Sequence, residues 1–199
     1  DFRLLYDVGQ GKVGTRVLSY RPNKDHEGYF LLLASPEIKT TDSQRQDKTV
    51  VFVLDRSGSM SGKKIEQVRG ALKQVLNNLH EGDLFNIIAY DSQVESFRPE
   101  LQRFNEENRK AALGFAEGIY AGGSTNIDAA LRTAMSQLQD SSRPSYVVFL
   151  TDGLPTAGET NEMKIVTDAQ QANQVHARLF VFGVGYDVNA RFLDKLVRE

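Results

Sequence analysis

The chain has 199 residues, a formal net charge of −2 at pH 7 and 40% hydrophobic residues, as expected for one large globular domain or one domain with an appendage. Its 24 basic and 26 acidic residues give no electrostatic reason to expect nucleic acid or an anionic membrane as a partner. The absence of cysteine excludes disulfides and thiolate metal sites, and no apolar run approaches the roughly 20 residues that cross a bilayer.

The first part of the chain, residues 1–46, is predicted to be a β-rich connector. Apolar and β-branched runs predict strands at 2–8, 15–20 and 29–34, with no helix between them. The polar stretch 37–47 predicts a linker or loop. Because the chain begins with Asp rather than Met, we expect it to be a fragment of a longer protein.

The second part, residues 47–199, alternates short apolar strands with amphipathic helices. Such alternation predicts a doubly wound α/β fold, with a mainly parallel central sheet and helices on both faces. The predicted strands are 49–54, 84–90, 94–97, 146–150 and 179–184, and the predicted helices are 63–80, 105–119, one from 126, 162–176 and one over 192–197.

Oxygen-bearing side chains collect where two of these strands end. Asp55 closes the first strand of the second part and Asp152 closes a later one, and ligands of doubly wound sheets bind beyond such strand ends. Ser57 and Ser59 follow Asp55 at alternate positions, which directs the three side chains to one side of a tight loop. Thr125 ends a glycine-containing loop at the start of a helix.

Two carboxylates and three hydroxyls form a ligand set of hard oxygens. Such a set suits Mg²⁺, with Ca²⁺ or Mn²⁺ as alternatives, and disfavours zinc and copper. Neutral hydroxyls leave much of the ion's charge uncompensated, and two helix starts add positive dipole ends nearby. The sequence therefore predicts a Mg²⁺ site that captures an acidic side chain of a protein partner.

Helix capping is the competing interpretation of the hydroxyls. Ser57, Ser59 and Thr125 all lie near predicted helix starts, where hydroxyls commonly accept a hydrogen bond from a free amide. Thr125 is followed three residues later by Asp128, as in a capping box. Capping explains each residue taken singly, but it does not require two aspartates at strand ends.

Three segments carry a resemblance to a known family: DRSGSM at 55–60, GGSTN at 122–126 and TDG at 151–153. In this order they resemble the metal-ion-dependent adhesion site of von Willebrand factor A-type domains, which include the I domains of integrins. The resemblance extends from about residue 47 to the end of the chain.

The resemblance implies a role for each predicted ligand. Ser57, Ser59 and Thr125 would contact the metal directly, whereas Asp55 and Asp152 would bind it directly or through water. An Asp or Glu of a partner protein would complete the coordination, and no enzymatic turnover is implied. Family members continue with a last strand and a C-terminal helix that couples metal state to affinity, so the A domain is expected to be incomplete here.

The segment YFLLLASP at 29–36 resembles inter-alpha-trypsin-inhibitor heavy chains and their bacterial relatives, in which a β-rich VIT domain lies upstream of the A domain. This resemblance implies that 1–46 connects the two domains and adds strands against the A domain. It implies an extracellular, cell-surface or periplasmic location and, for this chain, a bacterial origin.

Two other functions stay open. A strand-end aspartate followed by a helix is also typical of Mg²⁺-dependent phosphoryl-transfer hydrolases, but those enzymes need an acid two residues later, where this chain has Ser57. The domain could alternatively be structural, with its metal capped by an acidic residue of the same protein.

Overall fold

The computed structural model describes residues 13–20, 23, 25, 27–36 and 46–198. The chain divides into two units, 1–45 and 46–199. In the first unit, β1 (Val13–Tyr20) pairs with β2 (Tyr29–Pro36) as an antiparallel hairpin. This pairing confirms two of the three strands predicted for the connector. The predicted strand 2–8 and most of the predicted linker lie outside the described residues.

The second unit has the predicted alternation of strands and helices, with a short 3-10 helix, Gly58–Met60, after its first strand. Its elements are β3 (Thr49–Asp55), α1 (Lys63–Leu76), β4 (Leu84–Tyr90), β5 (Val94–Ser96), β6 (Gln102–Arg103), α2 (Glu106–Glu117), α3 (Ile127–Gln137), β7 (Ser145–Thr151), α4 (Glu162–Ala172), β8 (Arg178–Gly183) and α5 (Ala190–Val197).

These strands form one six-stranded sheet in the order β5-β4-β3-β7-β8, with β6 also paired to β4. The pairs β3–β4, β3–β7 and β7–β8 are parallel, whereas β5 and β6 run antiparallel to β4. The predicted α/β fold with a mainly parallel sheet is therefore confirmed. The chain leaves β3 toward β4 on one side and later returns to β7 on the other, so the strand order reverses at β3.

Two hydrophobic cores enclose the sheet. The fully buried residues of β3 alternate between them: Val51 and Val53 pack with the core of α3, α4 and α5, whereas Phe52 and Leu54 pack with that of α1 and α2. A strand buried on both faces needs a continuous apolar run, which the sequence of β3 supplies. The sheet thereby fixes the position of Asp55 at its carboxyl edge.

Two predicted helix ends were wrong by about one turn. Helix α1 ends at Leu76 rather than at His80, although Leu79 is still buried in the same core. Leu79 lies in the turn that follows the helix and packs into the core, so the apolar spacing continues past Leu76. Spacing alone therefore could not locate the end of the helix. Helix α4 likewise ends at Ala172, because the Asn173 side chain bonds both the amide and the carbonyl of Ala177.

Candidate metal centre

The sheet brings the two predicted aspartates together at its carboxyl edge. In the parallel pair β3–β7, Leu54 lies opposite Leu150, so Asp55 and Asp152 leave neighbouring strands almost side by side. Their exposed fractions are 0% and 2%. Both lie where the strand order reverses, which is the position at which doubly wound folds bind ligands.

Backbone hydrogen bonds join three loops at this edge. The Gly58 amide donates to the Gly123 carbonyl at 2.9 Å, which links the loop after β3 to the loop before α3. The Thr156 amide donates to the Thr125 carbonyl at 2.9 Å, and the Thr125 amide donates to Thr156 Oγ1 at 2.9 Å. The loop after β7 is thereby joined to the same assembly. Four of the five predicted site residues lie on these connections between elements, and Asp55 is the last residue of the strand that precedes the first of them.

Two of the three residues that carry the predicted hydroxyl ligands are buried. Ser57 Oγ lies 3.1 Å from Ser59 Oγ, in the connection that follows Asp55. Ser57 and Thr125 are buried, with exposed fractions of 1% and 3%, whereas Ser59 is exposed. Ser59 is therefore the predicted ligand that lies nearest to solvent.

Helix capping does not use these hydroxyls in the part of the chain that the structure describes. Ser57 precedes the 3-10 helix but makes no side-chain cap bond, and the N-cap of α1 is Gly62. Helix α3 is capped by Asn126, whose side chain accepts a hydrogen bond from the Ala129 amide at 3.2 Å. The capping box considered at Thr125 was therefore wrong, because the neighbouring asparagine takes that role.

Asp55 is held in place by hydrogen bonds to both of its carboxylate oxygens. Oδ1 accepts from the Ser57 amide at 2.8 Å, and Oδ2 accepts from Thr151 Oγ1 at 2.7 Å and from the Tyr90 hydroxyl at 3.2 Å. Burial raises the pKa of Asp55, and the charge of Asp152 raises it further, against the opposing effect of the Ser57 and Thr151 hydrogen bonds. Three hydrogen-bond donors therefore hold Asp55, but no cation is among the described groups that shift its pKa.

Asp152 has an oxygen with no partner. Its Oδ1 is buried and accepts no hydrogen bond from any described residue, while Oδ2 lies 3.5 Å from Lys64 Nζ. A buried polar atom without a partner costs about 1–3 kcal/mol, and more when it is charged. An unsatisfied carboxylate oxygen, on an aspartate close enough to the buried Asp55 to raise its pKa, fits the hard-oxygen shell of Mg²⁺, Ca²⁺ or Mn²⁺.

Hydroxyl oxygens are needed to complete this site. Among the described residues, no three His, Cys, Asp or Glu side chains come together as a metal-binding group. Asp55 and Asp152 alone would supply two carboxylates. The metal hypothesis therefore depends on Ser57, Ser59 and Thr125, whose neutral oxygens add ligands without adding charge.

No role was predicted from the sequence for three residues that hydrogen-bond to Asp55 or to the loops of the site. Tyr90 is fully buried and lies opposite Asp55 in the β3–β4 register. Arg56 donates to Asp91 Oδ2 at 3.1 Å, and the Asp91 carbonyl accepts from the Asn126 amide at 2.9 Å. These residues are far apart in the sequence, and only strand order and register bring them together.

Comparisons with known proteins concern the family and the fold of the chain. The model of the von Willebrand factor type A domain matches residues 49–199. The chain is 38% identical to mouse inter alpha-trypsin inhibitor heavy chain 4, over 100% of this chain and 21% of that protein. It thus spans about a fifth of the length of this curated relative.

Solved structures share the fold. A von Willebrand factor type A protein from Catenulispora acidiphila has a TM-score of 0.67 at 20% identity, over 93% of this chain and 40% of that one. The manganese-loaded TRAP protein of Plasmodium vivax has a TM-score of 0.58 at 19% identity, over 76% of this chain and 62% of that one. At these identities the likeness concerns the fold alone.

Proposed function

Because this chain belongs to the von Willebrand factor type A domain family, we propose that it is a metal-dependent module for binding a protein partner. Asp55 and Asp152 would hold a Mg²⁺ ion together with the three hydroxyls of Ser57, Ser59 and Thr125. Ca²⁺ or Mn²⁺ would suit the same oxygens. An Asp or Glu side chain of the partner would complete the coordination.

The observation that carries the proposal is the buried, unpartnered Oδ1 of Asp152. Its desolvation is unfavourable unless a donor or a cation satisfies it. Among the described residues, no cation acts on the pKa of the neighbouring Asp55. A divalent ion between the two carboxylates would relieve both costs at once, which a purely structural role for these residues leaves unexplained.

The open side of the site suggests what the ion would do. Neutral hydroxyl ligands leave an ion electrophilic, so that it attracts a carboxylate from outside. Ser59 is exposed and would lie at the rim that such a ligand crosses. Phosphoryl transfer is less well supported, because Ser57 stands where that chemistry needs an acid, and the family assignment favours binding over turnover.

The family and the relatives also bear on location. In the part of the chain that the structure describes, no helix is long and apolar enough to cross a membrane. We propose an extracellular, cell-surface or periplasmic site of action, in keeping with likeness to an inter-alpha-trypsin inhibitor heavy chain. The bacterial origin expected from the sequence stays a prediction.

Peptide binding tests the proposal directly. An array of peptides containing Asp or Glu, each beside its Asn or Gln twin, is probed with the protein in Mg²⁺ and in EDTA. We expect binding to a subset of acidic peptides, lost with their amide twins, with EDTA and in Thr125→Ala. The matched control Asp83→Asn, at the opposite edge of the sheet, should retain it. Peptide binding that is unchanged by EDTA and by replacement of the carboxylate with an amide would refute the proposed function.

A further inference from the structure

Lys64 reaches the candidate metal centre from outside the predicted ligand set. It is the second residue of α1, and its side chain is 23% exposed. Its ammonium nitrogen lies 3.5 Å from Asp152 Oδ2. No other cation in the described part of the chain pairs with this aspartate. Lys64 therefore supplies the one positive charge that the protein itself places against Asp152.

The loop after β8 leaves room for this ammonium group. Gly185 has a φ of +103°, a conformation that favours glycine. A Cβ built on Gly185 would lie 2.9 Å from Lys64 Nζ and closer still to Lys64 Cε. A side chain at 185 would therefore require the end of the lysine side chain to shift. The backbone at Gly185 thus leaves space for Lys64 in its position beside Asp152.

From this geometry we propose that Lys64 is a built-in competitor of the metal, which weakens divalent-ion binding at Asp152. The inference rests on the proposed function and adds a control of its affinity. An ammonium ion and a divalent cation are both stabilised by the same carboxylate, and they repel each other at short range. Metal binding must therefore displace the ammonium group or tolerate its repulsion.

The opposite role for Lys64 makes the opposite prediction. If the lysine only positioned Asp152 for the metal, its removal would loosen a ligand and weaken binding. If the lysine competes with the metal, its removal strengthens metal binding. In the metal-free protein, the same removal leaves the negative charge of Asp152 without its paired cation. The sign of the change in Mg²⁺ affinity therefore separates competition from positioning.

The test measures Mg²⁺ affinity by calorimetry and the thermal midpoint of the metal-free protein. In Lys64→Met we expect about tenfold tighter binding, which corresponds to about 1.4 kcal/mol, together with a lower metal-free midpoint. Lys64→Gln should shift both values in the same direction. The matched control is Lys63→Met, because Lys63 is exposed and carries the same charge one residue earlier. It should stay within about twofold of the parent affinity.

The outcomes distinguish the two proposals. A parent protein that binds Mg²⁺, with both Lys64 variants equal to it or weaker, would overturn the competition and leave the proposed function intact. Equal strengthening by Lys63→Met and Lys64→Met would also overturn it, because a general charge effect would then suffice. A parent without Mg²⁺ binding would overturn the proposed function itself and the Lys64 inference with it.

Discussion

Two buried aspartates lie at opposite ends of the parallel strands of one sheet, and they differ in how many partners their carboxylates have. Asp83, just before β4, has a fully buried side chain that pairs with Lys48 Nζ at 2.7 Å. It also accepts hydrogen bonds from the amides of Lys48 and His80, at 3.2 and 3.0 Å. Asp152, just after β7, keeps an oxygen without any described partner.

The difference separates a carboxylate that the protein satisfies from one that we propose binds an ion. Burial alone raises the pKa of Asp83, but the hydrogen bonds of Lys48 and His80 outweigh it, and the net pKa is lowered. The pKa of Asp55, on the other edge, is raised by burial and by Asp152. Asp83 at the amino edge is therefore satisfied by a close ion pair and hydrogen bonds, whereas Asp152 at the carboxyl edge has only Lys64 at 3.5 Å and keeps its Oδ1 unpartnered among the described residues.

The largest expected effect is on the satisfied edge. Asp83→Asn should lower the free energy of unfolding by about 2 kcal/mol at pH 7, because it breaks a buried pair. The loss falls below that of a fully buried pair, since Lys48 is 27% exposed and can turn to water. Chemical denaturation measures the change. Stability equal to that of the parent would show that burial of the ion pair contributes nothing.

The same substitution predicts a pH dependence. A carboxyl whose pKa is lower in the folded state stabilises the fold above its unfolded pKa of about 4, and this contribution is lost as pH falls through the folded pKa. The stability difference between the parent and Asp83→Asn should therefore be constant from pH 5 to 7 and shrink below about pH 4. A difference that grows on acidification would contradict the lowered pKa.

A smaller effect is expected from the residue behind the candidate metal ligand. Tyr90→Phe removes one of two hydroxyl donors to Asp55 Oδ2 but keeps the buried ring. We expect about tenfold weaker Mg²⁺ binding, as for other residues that orient metal ligands. Tyr146→Phe, near the amino end of β7, is the matched control and should leave the affinity unchanged. Equal affinities for both variants would exclude a positioning role for Tyr90.

Much of the fold could be predicted because local patterns decide it. The continuous apolar run of β3 and the helical spacing after Lys63 identified their elements without tertiary information. The β6 strand was missed because it has only two residues, Gln102–Arg103, which are too few to show an alternation of apolar and polar side chains. Helix α1 was predicted too long because Leu79 lies after the helix end but is still buried. Its apolar side chain therefore continues the helical spacing of the sequence although the backbone is no longer helical.

The candidate site was only partly predictable from sequence. Asp55 and Asp152 stand out because each ends an apolar strand, and strand ends are visible in the sequence. Tyr90 and Lys64 become neighbours of these aspartates only through sheet register and helix placement, and no local pattern carries that information. Sequence also left capping open at Thr125, and the side-chain contact of Asn126 was needed to decide it.

The central claim is that the carboxyl edge of the sheet binds a divalent ion and the amino edge does not. Isothermal titration of Mg²⁺, with Ca²⁺ and Mn²⁺ in parallel, into the metal-free parent, Asp55→Ala and Asp83→Asn tests it most directly. We expect one saturable site in the parent, lost in Asp55→Ala and kept in Asp83→Asn. Equal heats from the parent and Asp55→Ala, or no binding by any of the three proteins, would contradict the claim.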